Sequence, residues 1–209
     1  MKISYAITVC DEFIEVQRVL SVLLVNKRQK DEVVVLVDLS KNTPTSDTLN
    51  YLHELSSEDH IILIEDRFKN HFADWKNLLN KHCTGDYIFQ IDADEIPKVS
   101  LLNILPELLE LNPEVELYLV PRINTVEGLT DKHIQQWKWD VNDKGWVNWP
   151  DYQMRIYKNK ESINWINKVH EVIEGVANFS QLPKSHLYSL EHPKSIEKQV
   201  KQNDYYNTL

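Results

Sequence analysis

Over the first ninety residues, short apolar runs alternate with longer segments in which apolar residues recur every three or four positions. The runs are continuous, as expected for strands buried on both faces, and the longer segments have the period of amphipathic helices. Strands are predicted at 3–9, 33–37, 61–64 and 87–91, and helices at 13–27, from the capping residues Thr45 and Ser46 onward, and at 72–79. This alternation predicts an α/β fold with a mostly parallel sheet flanked by helices.

Acidic residues follow all four predicted strands. In open parallel sheets the ligand lies at the carboxyl ends of the strands, so these side chains are expected at one edge of the sheet. Carboxylates gathered without a counter-charge repel one another, which favours a bound cation over the alternative that the acids only cap helices and solubilise loops. The residues at the four ends are Cys10, Asp11 and Glu12; Asp38; Glu65, Asp66 and Arg67; and Asp92, Asp94 and Glu95.

The second half of the chain has a weaker pattern. It predicts a helix at 101–111 interrupted or restarted at Pro106, a terminal helix at 195–206, and strands at 115–120, 152–157, 163–165 and 169–173. The segment 122–150 has little periodicity, but its four tryptophans argue against disorder. We expect one continuous domain with two abutting halves around a cleft, a nucleotide-type half at 1–97 and an acceptor-type half at 98–209.

Composition and charge exclude several classes of function. The 209 residues carry a formal charge of -9, which disfavours binding to nucleic acid or anionic lipid, and the basic stretch 184–201 is predicted to be a solvated helix face. Two cysteines exclude a disulfide scaffold, and four scattered glycines exclude a glycine-rich phosphate loop. No apolar run is long enough to span a membrane and the first residues do not resemble a signal peptide, so we expect a cytoplasmic protein.

The segment IFQIDADEIP, at 88–97, places two carboxylates at positions i and i+2 directly after a buried strand. Asp92 and Asp94 can reach one hard cation, and Mg²⁺ or Mn²⁺ bound in this way keeps positions for water or phosphate oxygens. Such an ion would supply the positive charge that a glycine-rich loop does not. The alternative is a solvated acidic turn, because D-x-D alone occurs by chance in an acidic chain.

Five segments resemble the family 2-type glycosyltransferases, which have the GT-A fold. They are TVCDEF after the first strand, Asp38 at the end of the second, DWKNLLNKHCTGDYIFQIDADEIP, GWVNWPDYQMRIYKN and NKVHEVIEG. The resemblance covers most of the chain, and the last two segments are similar to small bacterial and viral enzymes that modify glycans. It implies a Rossmann-like, mostly parallel mixed sheet flanked by helices.

By this resemblance, the first half binds a nucleotide sugar. Asp38 is implied to contact the base, Asp92 to lie near the ribose, and Asp94 to hold a metal ion and the diphosphate. Cys10 is a departure, because many relatives have Asn or Tyr at this position. The other residues implied to face the nucleotide sugar are Thr8, Glu12, Arg67, Lys76, Asn77 and Ala93.

Candidates for a third metal ligand and a general base lie in the second half. His170, in KVHEVIEG, is the candidate ligand, and a neutral imidazole suits Mn²⁺ better than Mg²⁺. Asp151 is the first candidate for the base, because PDYQMRIYKN resembles the family segment that carries this acid, and Glu171 and Glu95 are its rivals. Arg155 is expected to pair with a phosphate or with an acid.

The tryptophans favour a saccharide site without proving one, since aromatic faces cover pyranose rings as they cover any apolar surface. Trp146 and Trp149 flank Asp151 and are the better candidates, whereas Trp75 and Trp165 are expected in the core. Three lysines are predicted to lie on a solvated helix face, and in the alternative they fold over the phosphates as a lid. These are Lys194, Lys198 and Lys201.

The leading hypothesis is a metal-dependent, inverting glycosyltransferase with Mn²⁺ or Mg²⁺ as cofactor. Its donor is a UDP-, GDP- or dTDP-sugar, with UDP favoured, and its acceptor is a hydroxyl of a glycan or lipid-linked saccharide. The inverting outcome follows from the resemblance.

One alternative is a Mg²⁺-dependent phosphatase or phosphotransferase, with Asp92 as nucleophile and Asp94 as general acid. In that class of enzyme the D-x-D segment would follow the first core strand, whereas in this chain it follows the fourth predicted strand. The other is a non-catalytic sugar-binding module, which would tolerate loss of Asp151.

Overall fold

The computed structural model describes residues 1–40 and 44–206, with side chains as far as residue 203. The helices are α1 (Phe13–Asn26), α2 (Ser46–Ser57), α3 (Phe72–Asn80), α4 (Val99–Leu111), α5 (Asp131–Trp137) and α6 (Ile196–Tyr206). The strands are β1 (Ile3–Val9), β2 (Glu32–Asp38), β3 (Ile62–Asp66), β4 (Tyr87–Asp92), β5 (Ile96–Pro97), β6 (Leu117–Val120), β7 (Arg122–Glu127), β8 (Gln153–Lys158), β9 (Asn164–Ile166), β10 (Val172–Glu174), β11 (Phe179–Gln181) and β12 (Leu190–Ser195).

The main sheet has seven strands in the order β11-β6-β8-β4-β1-β2-β3. Strands β4, β1, β2 and β3 run parallel, β8 is antiparallel to β4 and β6, and β11 is parallel to β6. The predicted mostly parallel mixed sheet is therefore confirmed. The antiparallel β8 comes from beyond residue 97 and pairs with β4, so the sheet is continuous between the two parts of the chain.

Both faces of the main sheet are buried because side chains alternate along each strand. On one face, Ile7 belongs to a cluster with Val16 and Leu20 of α1. On the other face, Ala6 belongs to a cluster with Ala73 and Leu79 of α3. This burial explains why the strands appear in the sequence as continuous apolar runs.

A second, three-stranded sheet has the order β5-β12-β7, with β12 antiparallel to β5 and parallel to β7. The prediction of one solvated helix face over 184–201 is wrong, because β12 occupies Leu190–Ser195 and α6 begins only at Ile196. The strand alternates between buried and more exposed positions, with Leu190 and His192 buried. Its period of two is hidden in the sequence because most of its residues are polar.

Helix α4 continues through Pro106, so the predicted interruption at this residue is wrong. A proline inside a helix costs about 3 kcal/mol, because it removes one hydrogen bond and crowds the preceding turn. Burial of a leucine side chain contributes about 1.5–3 kcal/mol. Four buried leucines on one face of α4 outweigh the cost, and these are Leu101, Leu102, Leu105 and Leu109.

The segment 122–150 is more regular than predicted, since it contains β7 and α5. The apolar pattern does not predict strand β7, because the strand carries polar residues that line a cleft, among them Asn124 and Thr125. Within the described part of the chain, no helix has the length and apolar character needed to cross a membrane.

Candidate active site

A cleft of about 930 Å³ lies at the carboxyl ends of β1, β2 and β4. The site residues predicted from the sequence that line it are Thr8, Cys10, Glu12, Asp38, Lys76, Asp92, Ala93, Asp94, Asp151, His170 and Glu171. Arg67, at the end of β3, is not among the described lining residues, and its backbone N–H donates to Asp66 Oδ1 at 2.7 Å. Glu65 and Asp66, at the end of the edge strand β3, are not among the described lining residues either.

Asp38 closes one end of the cleft. Its carboxylate accepts hydrogen bonds from the backbone and hydroxyl of Ser40, both at 2.7 Å, and from the Phe68 N–H at 2.9 Å. Phe68 packs against Phe72 at 4.8 Å and against Trp75 at 5.8 Å, and all three aromatic rings line the cleft. This end offers an acceptor and flat apolar surfaces, which together suit a nucleobase.

Arg155, on β8, holds the first carboxylate of the D-x-D segment. Its guanidinium donates to Asp92 Oδ2 at 2.7 Å and to both oxygens of Glu95, at 2.7 and 2.9 Å. Burial raises the pKa of Asp92, but the charges of Arg155 and Lys76 outweigh burial and lower it to about 2. Glu95 is fully buried and is not among the described lining residues, so the structure gives it a supporting position rather than access to a substrate.

Asp151 is held by three side chains. Arg122 contacts its Oδ2 through two nitrogens, at 2.7 and 2.9 Å, Asn124 donates to the same oxygen at 2.7 Å, and Gln153 donates to Oδ1 at 3.0 Å. Burial raises the pKa of this carboxyl, but the Arg122 charge outweighs burial and holds the pKa below its usual value. Its backbone has a φ of 35°, a strained conformation often found at functional sites.

The imidazole placed against Asp94 is that of His192, on β12, with Nε2 3.2 Å from Oδ2. Asn124 donates through its amide nitrogen to Asp151, so its oxygen accepts from Nδ1–H of His192 at 2.7 Å. Lys194 Nζ lies 3.4 Å from the same Asp94 oxygen and donates to Gln202 of α6 at 2.7 Å. Lys194 is thus a nearly buried cleft residue on a strand, and the prediction of a solvated helix position is wrong for it.

Residues Asp94 and His192 fit a divalent cation. Nε2 of His192 lies 3.2 Å from an Asp94 oxygen, and these two atoms can share a proton or, with Nε2 deprotonated, ligate one cation. Mg²⁺ and Mn²⁺ are commonly held by one or two protein ligands plus substrate and water. The described residues contain no ready-made group of three or more metal-ligating side chains, so the remaining ligands would come from substrate and water.

The charge balance of the cleft supports the same fit. Its described lining has six carboxylates, four lysine or arginine side chains and two histidines. The pKa of Glu12 is raised above its usual value, chiefly by burial and further by the charges of Asp11 and Asp94. The pKa of Asp94 lies below its usual range, because His192 and Lys194 outweigh burial. An added cation would offset the excess of negative charge.

Lys76 of α3 lies between the carboxylates of Glu171 and Asp92. Its Nζ donates to Glu171 at 2.6 Å, is 3.7 Å from Asp92 Oδ1, and lies over the ring of Trp165 at 4.4 Å. Glu171 is therefore an acceptor already paired with a buried ammonium. Asn77 is not among the described lining residues, and its side chain donates to the Trp165 carbonyl at 2.8 Å and accepts from the Trp165 N–H at 2.9 Å.

The tryptophans are arranged differently from the prediction. Trp146 and Trp149 pack against each other at 5.0 Å and are not among the described lining residues, whereas Trp139 is. Trp75 and Trp165 are buried as predicted, and each also contributes to the wall of the cleft. Lys198 pairs with Glu15 of α1 and Lys201 is exposed, so neither follows Lys194 into the cleft.

The sequence did not identify His192, Arg122, Asn124 or Trp139 as site residues, and it placed Lys194 over the phosphates only as an alternative. Four of these residues lie on β7 and β12, two strands that the apolar pattern does not reveal. The available signal was the spacing of His192 and Lys194, which puts both on one face of a strand.

A mostly parallel mixed sheet whose central strands end at an acidic cleft, with a D-x-D segment directly after β4, is the arrangement found in a GT-A domain. A family model described as "Glycosyl transferase family 2" matches residues 4–177. The chain therefore belongs to glycosyl transferase family 2.

Solved structures of S. aureus TarS are similar to the chain. TarS 1–349 in complex with UDP-GlcNAc has a TM-score of 0.64 and 14% identity, covering 93% of this chain and 59% of that one. TarS 1–349 has a TM-score of 0.62 and 14% identity, covering 92% and 60%. At this identity the likeness shows the fold alone, and the chain spans about three fifths of the length of those structures. A comparison with curated proteins finds no match.

Proposed function

We propose that the chain transfers a sugar from a nucleotide-diphosphate sugar, preferably a UDP-sugar, to a hydroxyl of a glycan or related saccharide. The observation that carries this proposal is that Asp151, the base candidate, opens into the same cleft as Asp92 and Asp94. Family membership supports the reaction class. A site for an activated donor and a carboxylate for the acceptor are the two requirements of such a transfer.

The donor lies along the carboxyl ends of β1, β2 and β4 in this proposal. Asp38 accepts from the base, which lies against the aromatic group of Phe68, Phe72 and Trp75. Thr8, Cys10, Glu12 and Ala93 line the nucleotide, Asp92 faces the ribose, and Lys76 and Lys194 face the phosphates. Arg67 is left out of this set because the described cleft lining does not include it.

Asp94 and His192 would hold Mn²⁺ or Mg²⁺, and such an ion would supply positive charge to offset the diphosphate of the leaving group. His192 is suited to this role because Asn124 fixes its protonated nitrogen and directs the other one at Asp94. His170, whose backbone has a φ of 53°, lies in the cleft wall and is the second candidate for the nitrogen ligand.

Asp151 acts as the general base. The acceptor hydroxyl gives its proton to Asp151 as its oxygen attacks the anomeric carbon, while the bond from that carbon to the diphosphate oxygen breaks and the nucleotide diphosphate leaves. One displacement of this kind inverts the anomeric configuration. Glu171 stays the rival, since it is paired with Lys76 much as Asp151 is paired with Arg122. Glu95 is fully buried and is not among the described lining residues.

A panel of UDP-, GDP- and dTDP-sugars, with Mn²⁺ or with chelator, tests the proposal by release of nucleotide diphosphate. Release is expected from one donor class, with Mn²⁺ present, and should fall at least about 100-fold in Asp94→Asn. Calorimetric titration with Mn²⁺ alone should show weaker binding in His192→Ala than in His170→Ala. Release that is unchanged in chelator contradicts the metal assignment, and the opposite order of the two histidine variants transfers the ligand role to His170.

A further inference from the structure

Trp139 is a fixed aromatic surface in the wall of the cleft. Its backbone N–H donates to the Ile134 carbonyl at 3.1 Å. The neighbouring Asp140 exchanges two hydrogen bonds with Asn148, at 2.7 and 3.0 Å. Trp137 packs against its ring at 4.6 Å. The backbone at Trp139 and Asp140 is therefore hydrogen-bonded, and the indole packs on Trp137, which limits the entropy lost when a ligand packs on it.

The loop that carries Trp139 is also tied to the base candidate. The carbonyl of Asn148 accepts from the Asp151 N–H at 3.0 Å, and Asn148 is the residue paired with Asp140. Asn124 donates to Asp151 at 2.7 Å and to the Val147 carbonyl at 3.4 Å. Trp139 and Asp151 thus belong to one hydrogen-bonded wall of the cleft.

The cations of the described cleft wall are already neutralised. Each lies within 3.4 Å of a carboxylate oxygen, in the pairs Lys76–Glu171, Arg122–Asp151, Arg155–Asp92 and Lys194–Asp94. Two further lysines near Trp139 and Trp146 are exposed and are not among the described lining residues of the cleft; these are Lys138 and Lys144. Since Lys76 and Lys194 are assigned to the donor phosphates and Arg122 and Arg155 remain paired with carboxylates, a phosphate or carboxylate on the acceptor would meet an excess of carboxylates and gain no unpaired cation.

We propose that Trp139 forms an acceptor subsite for a neutral pyranose, which packs its apolar face on the indole and turns a hydroxyl toward Asp151. This inference rests on the proposed function and names the acceptor class for the same site. Neutral saccharides bind through such aromatic contacts without electrostatic attraction, so their binding depends little on salt.

Quenching of tryptophan fluorescence tests this subsite without a donor. The neutral probes are cellotetraose, chitotetraose and maltotetraose, and the anionic probes are tetragalacturonate and a hyaluronan tetrasaccharide, each in about 0.05 M and 0.5 M NaCl. Wild type is compared with Trp139→Ala, with Trp139→Phe as the conservative variant, and with Trp146→Ala as a matched control for loss of one indole.

A neutral probe is expected to bind wild type and Trp146→Ala alike, with less than about a twofold change between the two salt concentrations. The dissociation constant should rise about tenfold or more in Trp139→Ala and less in Trp139→Phe, as for removal of a central aromatic contact. The inference is overturned if no neutral probe binds, if Trp139→Ala binds like wild type, or if an anionic probe binds more tightly. Nucleotide release by wild type without acceptor reports separately on the proposed function.

Discussion

Glu95 is a buried carboxylate shared by two arginines. It accepts from Arg155 through both oxygens and from Arg122 at 2.9 Å, and it is fully buried. We expect Glu95→Ala to lower the free energy of unfolding by about 3 kcal/mol, because the buried Arg155 and the largely buried Arg122 lose a partner. Urea denaturation measures the loss. The matched control is Glu191→Ala, which removes the partly exposed partner of Lys98 and should cost less than about 1 kcal/mol; equal losses would contradict this assignment.

At the residue scale, the sequence is informative where the chemistry is local. Asp92 and Asp94 can be predicted because they follow an apolar strand within one short segment. The roles of His192 and Asn124 cannot be predicted in this way. His192 contacts Asn124, which is 68 positions away in the sequence, and Asp94, which is 98 positions away. Trp139 and Trp146 are equivalent in the sequence, and only the path of the loop decides which one enters the cleft.

Among the elements, the turn after β10 has the sharpest steric requirement. Gly175 has a φ of 81°, and a Cβ there would lie 1.7 Å from the Ser162 carbonyl oxygen. Gly145 has a similar φ of 75°, but a Cβ there would have no neighbour within 4 Å. We expect Gly145→Ala to cost about 1–2 kcal/mol from backbone strain alone.

Gly175→Ala should cost at least about 2 kcal/mol more than Gly145→Ala, because the backbone around Ser162 must also move. Thermal unfolding of the two variants measures the difference. Similar melting temperatures would show that the turn after β10 relaxes without penalty.

Element prediction succeeds where burial dictates the pattern. Strands β1, β2 and β4 are buried on both faces, so their apolar runs are unambiguous. Strands β7 and β12 line the polar cleft, which removes the signal by which strands are recognised. Helix α4 differs for another reason, since burial of its leucine face outweighs the local preference to end near Pro106.

At the scale of the whole molecule, Glu32 ties together the edge of the sheet opposite the cleft. It accepts from Lys2 at 2.5 Å, from Ser4 at 2.6 Å, and from the backbone of Thr84 at 2.6 Å. Burial raises its pKa, but these donors outweigh burial and lower the pKa from 4.5 to about 2. Since the folded state binds the proton more weakly, this stabilisation is fully present above pH 4.5 and is lost as the pH falls toward 2.

We therefore expect Glu32→Gln to be less stable than wild type at pH 7, by about 1–2 kcal/mol after allowance for the partly exposed Lys2. The difference should shrink as the pH falls below about 4.5. Urea denaturation at a series of pH values measures it. A difference that stays constant down to pH 2 would show that Glu32 does not act through its charge.

The central claim is that Asp151 removes the acceptor proton in a cleft that binds the donor independently of it. The direct measurement compares sugar transfer and donor affinity in Asp151→Asn and wild type, with the donor and metal identified in the panel. Transfer should fall about 10²–10⁴-fold, the usual contribution of a general base, while donor affinity stays within about twofold. Transfer at the wild-type rate in Asp151→Asn would contradict the account and move the base to Glu171.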